Sequence, residues 1–211
     1  MLSSDDFTLI LEELQRKPLG INKYRRIAGE GNSNTFGLVN RRCLPPDYSR
    51  LCWKRPYLYK LLLEFGEKHV KIPFTSITVN ENYKANPHKD KGNKGESYLC
   101  AFGNFQEGQL KIHEGPLTGL HSIKHTPLVT DFSKVTHSVE PWDGDRYSLV
   151  YYTIDDKGKS LDIPKGSVEL INNKYVFKRG EEVIRDGLPH PLKDKKKSLV
   201  IEHKPVIIEF N

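Results

Sequence analysis

Two histidines and a carboxylate with ligand-like spacing are the first candidates for chemistry in this chain. His88 and Asp90 form a His-x-Asp pair, and His137 follows 47 residues after Asp90. Side chains two positions apart on an extended chain point to the same side, so His88 and Asp90 can face one ion. Two imidazoles and one carboxylate form the facial ligand set of non-haem iron(II) sites. We therefore predict that His88, Asp90 and His137 bind one metal ion. Three further histidines are predicted to lie outside this ligand set: His113, His121 and His125.

A basic residue follows the second histidine at the start of an apolar segment. Arg146 opens residues 146–153, which have the composition of a buried strand. A buried arginine requires an anionic partner. That partner would be an anionic ligand or, alternatively, a neighbouring carboxylate such as Asp143 or Asp145. Ser148 lies two residues further on, on the same face of the predicted strand, where it can bind the same anion or act as an ordinary strand residue.

The four residues resemble, in order and spacing, the pattern of the Fe(II)/2-oxoglutarate-dependent dioxygenases. That pattern is His-x-Asp, a distal histidine, and a basic residue about one strand later, and the resemblance covers about residues 74–153. A lone His-x-Asp pair is common on protein surfaces, so the interpretation depends on the complete set. The resemblance implies a double-stranded β-helix, or jelly roll, with Fe(II) as metal and 2-oxoglutarate and O2 as cosubstrates.

The same resemblance implies roles for single residues. Arg146 and Ser148 would bind the C5 carboxylate of 2-oxoglutarate, and Tyr98 is also placed among the cosubstrate-binding residues. An arginine fork suits a carboxylate because it donates two parallel hydrogen bonds. The implied reaction hydroxylates a C–H bond and releases succinate and CO2, so the chain is predicted to be an enzyme.

Two further segments resemble one branch of that family. Residues 80–97 and 103–110 are similar to the pattern of the thymine hydroxylases of base J synthesis and the ten-eleven-translocation methylcytosine oxygenases. Asn93 and Ser97 match this pattern, whereas Glu107 stands where the first of two glycines is usual. The branch implies a nucleobase methyl group in DNA or RNA as substrate, which must be flipped out of the base stack to reach the metal.

A flipped base needs stacking partners and a basic rim, and the sequence offers candidates for both. The aromatic candidates, each of which also suits an ordinary core position, are Tyr83, Tyr98, Phe105 and Trp142. The basic candidates, which a solvated loop explains equally well, are Lys84, Lys89, Lys91 and Lys94.

Two other functions remain open at this stage. One keeps the cofactor chemistry but acts on a protein side chain, as prolyl and lysyl hydroxylases do. Prolyl hydroxylases usually carry lysine where this chain has Arg146, which disfavours that version. The other is a jelly-roll binding protein without catalysis, which the complete ligand set disfavours.

Hydrophobic periodicity predicts a mainly β (α+β) fold with two helices before a barrel or a double-sheet jelly roll, and the resemblance implies the jelly roll. Helices are expected at residues 5–16 and 56–69, and residues 29–34 are expected to form a loop. The resemblance further implies that these helices pack against one sheet. Strands are expected at residues 74–79, 98–103, 109–113, 127–132, 135–139 and 146–153, and in the tail at 174–178, 198–202 and 206–210. We predict one domain over residues 1–211, with helical support in 1–72, the jelly-roll core in 73–155 and a β extension in 156–211.

Composition limits the class of protein more than its activity. Hydrophobic residues make up 36% and charged residues 28% of the chain, which suits a globular protein, and no run of apolar residues is long enough to cross a membrane. The net charge of +6 is compatible with a nucleic-acid partner. Without a recognisable secretion signal, and with three cysteines, the chain is expected in the cytoplasm or nucleus. Its oligomeric state is open.

Overall fold

The computed structural model describes residues 1–21, 29–41, 44–157, 163 and 165–180 of the chain. A short 3-10 helix at Ser4–Phe7 leads into α1 (Thr8–Arg16), and α2 (Leu51–Lys54) precedes α3 (Pro56–His69). Within the described part of the chain, no helix is long and apolar enough to cross a membrane. The strands are β1 (Gly29–Arg41), β2 (Leu44–Tyr48), β3 (Ser76–Ala85), β4 (Asn93–Phe102), β5 (Phe105–Glu107), β6 (Leu110–Ile112), β7 (Gly119–His121), β8 (Leu128–Thr130), β9 (His137–Val139), β10 (Trp142–Gly144), β11 (Tyr147–Ile154), β12 (Gly166–Ile171) and β13 (Lys174–Arg179).

The strands form a large and a small antiparallel sheet that face each other. The large sheet has six strands in the order β2-β1-β3-β11-β4-β8, and the small sheet has three in the order β7-β6-β9. Neighbours in the large sheet come from distant parts of the sequence, because β11 inserts between β3 and β4. Two antiparallel pairs, β5 with β10 and β12 with β13, complete the strands. This architecture confirms the predicted jelly roll with flanking N-terminal helices.

Each face of the large sheet has its own core. Along β4, Tyr98 and Cys100 belong to the core shared with the helices, whereas Leu99 and Ala101 belong to the core shared with the small sheet. This alternation follows from the two-residue period of a strand. The helices therefore cover one face, as predicted, and the other face is left to form a site between the two sheets. The helical residues of the first core are Phe7, Ile10, Leu14, Leu58, Leu62 and Phe65.

Most of the predicted elements are confirmed, but the loop expected at residues 29–34 is wrong. Those residues open β1, which pairs with β3 from Gly29 to Gly37. Gly31 lies at a register shift in this pair with φ at +105°, and a Cβ there would lie 2.0 Å from the carbonyl oxygen of Asn82. The glycine thus marks a bulge inside a strand rather than a loop. Residues 1–72, predicted as helical support, accordingly also contribute β1 and β2 to the large sheet.

Several predictions fall outside the described residues. The expected strands at 198–202 and 206–210 lie there, as does Cys43. Among the tail strands, the one expected at 174–178 is confirmed as β13. Cys52 and Cys100 are buried free thiols. The division of the chain into one domain with a β extension remains a prediction.

A buried ion pair joins the N-terminal helix to the helix pair behind the large sheet. The guanidinium of Arg55 lies 2.9 Å from the Glu13 carboxylate and also donates to the backbone carbonyls of Glu13 and Lys17. Both side chains are almost completely buried. Arg16 contacts the same carboxylate from the surface at 2.6 Å.

Replacing Arg55 with methionine should destabilise the fold by about 3 kcal/mol, because it leaves the buried Glu13 carboxylate short of its inner partner. Urea unfolding measures this loss. The matched control is Arg16→Met, which removes the half-exposed partner of the same carboxylate and should cost less than about 1 kcal/mol. Equal losses in the two variants would contradict the assignment of the buried pair as the stabilising one.

Candidate metal centre

The structure brings the three predicted ligands together in one cavity between the sheets. His88 and Asp90 lie in the loop after β3, and His137 opens β9 in the small sheet. One donor atom from each lies within 4.8 Å of the other two, with the Nε2 atoms of His88 and His137 at 3.4 and 3.9 Å from the Asp90 oxygens. An ion bound at about 2.1 Å holds ligands at right angles about 3 Å apart, so this spacing suits one ion.

The histidine rings are turned so that the same nitrogen of each faces the centre. His88 Nδ1 donates to the carbonyl of Asn86 at 2.7 Å, and His137 Nδ1 donates to the carbonyl of Val135 at 3.2 Å. A backbone acceptor at Nδ1 fixes the tautomer and leaves the lone pair of Nε2 for a metal. The donors that a cation needs are therefore oriented before it binds.

Backbone hydrogen bonds join the two ligand-bearing segments directly. The amide of His88 donates to the carbonyl of His137 at 3.0 Å, and the amide of His137 donates to that of His88 at 2.9 Å. This antiparallel bridge links the loop after β3 to the small sheet. The amide of Asp90 donates to the carbonyl of Phe132, which anchors the third ligand to the same side.

Asn93 and Ser97, which match the branch pattern, lie next to the carboxylate ligand. Asn93 Nδ2 is 3.5 Å from Asp90 Oδ2 and donates to Ser97 Oγ at 3.2 Å. Ser97 is completely buried. The pair therefore supports Asp90 from the start of β4.

Burial favours the neutral form of the most enclosed ligand. His137 is 6% exposed, and burial lowers the pKa of its imidazole below the usual value, although the Asp90 carboxylate opposes the shift. A neutral imidazole is the form that binds a metal. His137 is thus ready to act as a ligand at neutral pH.

Arg146 lines the same cavity as the three predicted ligands. The cavity is lined by residues of both sheets, including the three ligands, Arg146 and Ser148. Arg146 is 2% exposed, and burial lowers the pKa of its guanidinium to about 10, so it stays protonated at neutral pH. The apolar residues that line the cavity include Leu99, Leu110, Val139 and Val150.

The buried guanidinium has no carboxylate partner among the described residues. Its Nε donates to the carbonyl of Gly108 at 3.2 Å, and its Nη2 is buried without a hydrogen bond. The rings of Phe105 and Trp142 lie 5.5 and 5.7 Å from its Cζ. The alternative in which Asp143 or Asp145 pairs with Arg146 is therefore not observed. An unpaired buried cation fits a site for an anionic ligand.

The surroundings of Arg146 also explain a glycine in the sequence. Gly108 has φ at +66°, and a Cβ there would lie 3.0 Å from Cδ and Nε of Arg146 and 2.9 Å from Cβ of Trp142. Any larger residue would push against the guanidinium stem. Sequence reasoning had not assigned Gly108 to the site, although its place in the branch pattern was a signal for it.

Asn80, which contacts the predicted residue Ser148, was not identified from the sequence. Ser148 is 2% exposed and accepts a hydrogen bond from Asn80 Nδ2 at 3.0 Å, while Asn80 Oδ1 is buried without a partner. Both side chains line the cavity. Asn80 sits in β3 at the register partner of Ser148, so only the sheet pairing reveals it.

Tyr98 was predicted to bind the cosubstrate, but the structure places it on the opposite face of the large sheet from the cavity. It lies in the core between the large sheet and the helices, with its ring 6.0 Å from that of Tyr151. Its neighbour Leu99 faces the cavity instead. The strand alternation that carries Leu99 into the cavity therefore turns Tyr98 away from it.

The other candidates for base contacts occupy different positions. Tyr83 lines the cavity, whereas Phe105 and Trp142 flank Arg146. Lys89 is paired with Glu114 at 2.8 Å. The remaining predicted rim lysines, all exposed, are Lys84, Lys91 and Lys94.

Glu107, the departure from the branch pattern, has a backbone conformation that favours glycine. Its φ is +61°, and its carboxylate accepts a hydrogen bond from Gln109 at 3.0 Å. A non-glycine residue in the left-handed region costs about 1 kcal/mol. The structure thus retains the turn that the usual glycine would make.

Glu107→Gly should leave the free energy of unfolding within about 0.5 kcal/mol of the original, because relief of the left-handed strain offsets the greater freedom of glycine in the unfolded chain. Urea unfolding tests this. The control is Glu96→Gly at an exposed position of β4, where no positive φ is relieved, so a loss of about 1 kcal/mol is expected. A larger loss at Glu107 than at Glu96 would contradict the strain.

This chain is similar to known proteins in its three-dimensional structure rather than in its sequence. No protein-family model and no curated protein matches the sequence. The structure of NgTET1 in complex with 5mC DNA is 17% identical with a TM-score of 0.52, and the match covers 74% of this chain and 69% of that one. An oxidoreductase of the 2OG-Fe(II) oxygenase family from Burkholderia pseudomallei is 17% identical with a TM-score of 0.49, over 69% of this chain and 77% of that one. A Pseudomonas putida prolyl-4-hydroxylase is 15% identical with a TM-score of 0.44, over 72% of this chain and 87% of that one.

The likeness to NgTET1 extends over most of both chains and concerns the fold. At this level of identity the match shows a shared fold, which is the jelly roll that the sequence motifs imply. The chain therefore combines a jelly-roll fold with a cluster of two histidines and one aspartate in the cavity.

Proposed function

We propose that this chain is an iron(II)- and 2-oxoglutarate-dependent oxygenase that hydroxylates a nucleobase, with a methyl group in DNA or RNA as the first candidate. The observation that carries the proposal is a protonated, buried Arg146 without a carboxylate partner among the described residues, in the same cavity as His88, Asp90 and His137. The cavity thus offers a cation site and an anion site to a single small molecule.

The residues present fit both implied groups. His88, Asp90 and His137 would hold iron(II), since two imidazoles and a carboxylate are its usual protein ligands in such sites. Arg146 has an unused Nη2 for a carboxylate oxygen, and the Ser148 hydroxyl lies on the same strand face. A dicarboxylate with a 2-oxo group would use both the ligand cluster and the guanidinium of Arg146.

The side chains divide the work of the reaction between them. Bound iron(II) supplies the activation of O2 that couples oxidative decarboxylation of 2-oxoglutarate, to succinate and CO2, with hydroxylation of the substrate. Arg146 and Ser148 hold the distal carboxylate and so fix where the 2-oxo group lies. Leu99, Leu110 and Val150 keep water away from the reacting atoms.

Three observations support a nucleobase substrate. The neighbour NgTET1 was solved with 5mC DNA, and this chain shares its fold. The chain has a net charge of +6, and exposed lysines follow the metal motif, including Lys91 and Lys94. Tyr83 lines the cavity and can stack on a flipped base.

Removing a metal ligand should abolish turnover. His137→Ala should reduce succinate formation from 2-oxoglutarate below detection and weaken Fe(II) binding at least about 100-fold, because it deletes one of three protein ligands. Anaerobic Fe(II) titration and succinate release measure both effects. His121→Ala, at a histidine outside the cluster, is the control and should behave like the original protein. Undiminished Fe(II) binding in His137→Ala would contradict the ligand assignment.

Arg146→Met separates a binding arginine from a structural one. We expect the KM for 2-oxoglutarate to rise about 100-fold, because the distal carboxylate loses its charged partner. The free energy of unfolding should stay the same or rise, since the variant removes a buried charge that lacks a carboxylate partner among the described residues. Arg146→Lys keeps the charge without the planar fork and should show an intermediate KM. A large loss of stability with unchanged KM would contradict the proposed role.

The substrate is tested by comparing oligonucleotides. Short single- and double-stranded DNA containing thymine or 5-methylcytosine should stimulate succinate formation and yield the hydroxymethyl base, detected by mass spectrometry of the digested nucleosides. Matched oligonucleotides with cytosine and uracil in place of the methylated bases are the controls. Turnover that no nucleic acid stimulates would overturn the nucleobase and leave the cofactor chemistry in place.

A further inference from the structure

One exposed carboxylate outside the cavity contacts both segments that carry the metal ligands. Glu114 lies just beyond β6, and its Oε1 forms an ion pair with the ammonium of Lys89 at 2.8 Å. The same oxygen accepts hydrogen bonds from the backbone amide of Thr136 at 2.9 Å and from the Thr136 hydroxyl at 2.6 Å. Three donors from two distant segments thus converge on one atom.

Both partners of Glu114 are direct neighbours of ligands. Lys89 is the residue between His88 and Asp90, and Thr136 immediately precedes His137. On an extended chain, Lys89 points to the side opposite to its two neighbours. Glu114 therefore contacts the outer side of the segments whose inner side carries the donor atoms.

The contacts of Glu114 add a side-chain attachment to the backbone bonds between the segments. The reciprocal amide bonds between His88 and His137, and the bond from the Asp90 amide to the carbonyl of Phe132, join the segments through the backbone. Glu114 joins them on the outer side, and the amide of His113 donates to the carbonyl of Thr136 at 2.9 Å beside it. Each added attachment restricts rotation of one segment against the other. The spacing between the ligands is thereby defined before an ion binds.

The charge of Glu114 acts in the same direction. Lys89 carries a positive charge one residue from each of two ligands, where it would oppose the arrival of a cation. The ion pair neutralises this charge and holds the ammonium on the outer side. Loss of the carboxylate would leave the charge of Lys89, which is one-third exposed, without this neutralising partner.

We propose that Glu114 is a positioning residue that raises the affinity of the centre for its divalent metal by tying Lys89 to Thr136. The inference rests on the proposed metal site and adds a residue that contacts neither the ion nor the cosubstrate. Because Glu114 is half-exposed, its replacement leaves the cores of the fold untouched.

The test is a Mn(II) titration followed by the electron paramagnetic resonance of the free ion, which reads metal binding without turnover. Glu114→Ala should weaken Mn(II) binding about tenfold. Glu114→Gln keeps an oxygen acceptor for Thr136 but loses the charge, so it should show a smaller loss of about threefold. Glu96→Ala, an exposed acid at the start of β4, is the control and should bind as the original protein does.

A second variant distinguishes positioning from a general effect on folding. Lys89→Met combined with Glu114→Ala should bind Mn(II) more tightly than Glu114→Ala alone, because the unneutralised charge is gone. Equal Mn(II) affinity of Glu114→Ala and the original protein would overturn the proposal for Glu114 while the metal site stands. A drop in thermal stability with unchanged affinity would also overturn it. An original protein that binds no Mn(II) and no Fe(II) would instead overturn the proposed function.

Discussion

The strongest physical constraint in this structure is a protonated guanidinium buried between two sheets. A charge in such a place is unfavourable unless an anion compensates it. The guanidinium of Arg146 donates to one backbone carbonyl and lies over two aromatic rings. Within the described part of the chain it has no carboxylate partner. The fold nevertheless holds the side chain in place, because Gly108 has no Cβ that would crowd the Cδ and Nε atoms of Arg146. A group kept at such a cost is typical of a binding site rather than of a stabilising contact.

The other half of the site depends on how the two sheets meet. His137 comes from the small sheet, whereas His88 and Asp90 lie in a loop that leaves the large sheet, and paired backbone amides join the two. His88, Asp90 and His137 thus lie where the sheets are held together, and Arg146 immediately precedes the central strand β11. The backbone therefore sets the distance between this cluster and Arg146.

The clustering of His88, Asp90 and His137, with Arg146 in the same cavity, could be predicted from the sequence because the signal is the order and spacing of these residues along the chain. The helix at 56–69 was predictable for a similar reason, since its apolar stripe repeats along a single segment. Asn80 and Tyr98 could not be placed in this way, because their roles depend on which face of a strand meets the cavity and which strand lies beside it. β1 was missed because its polar side chains are satisfied by distant carbonyls, as when Asn34 donates to Gly20, and its bulge uses a glycine that reads locally as a loop.

The central claim is that one small molecule spans the ligand cluster and Arg146. The most direct test is a crystal structure of the protein grown without oxygen in the presence of Mn(II) and 2-oxoglutarate. We expect Mn(II) bound by His88, Asp90 and His137, with the 2-oxo end of the ligand on the metal and its distal carboxylate on Nη2 of Arg146. A ligand bound elsewhere, or a metal held without His137, would contradict it.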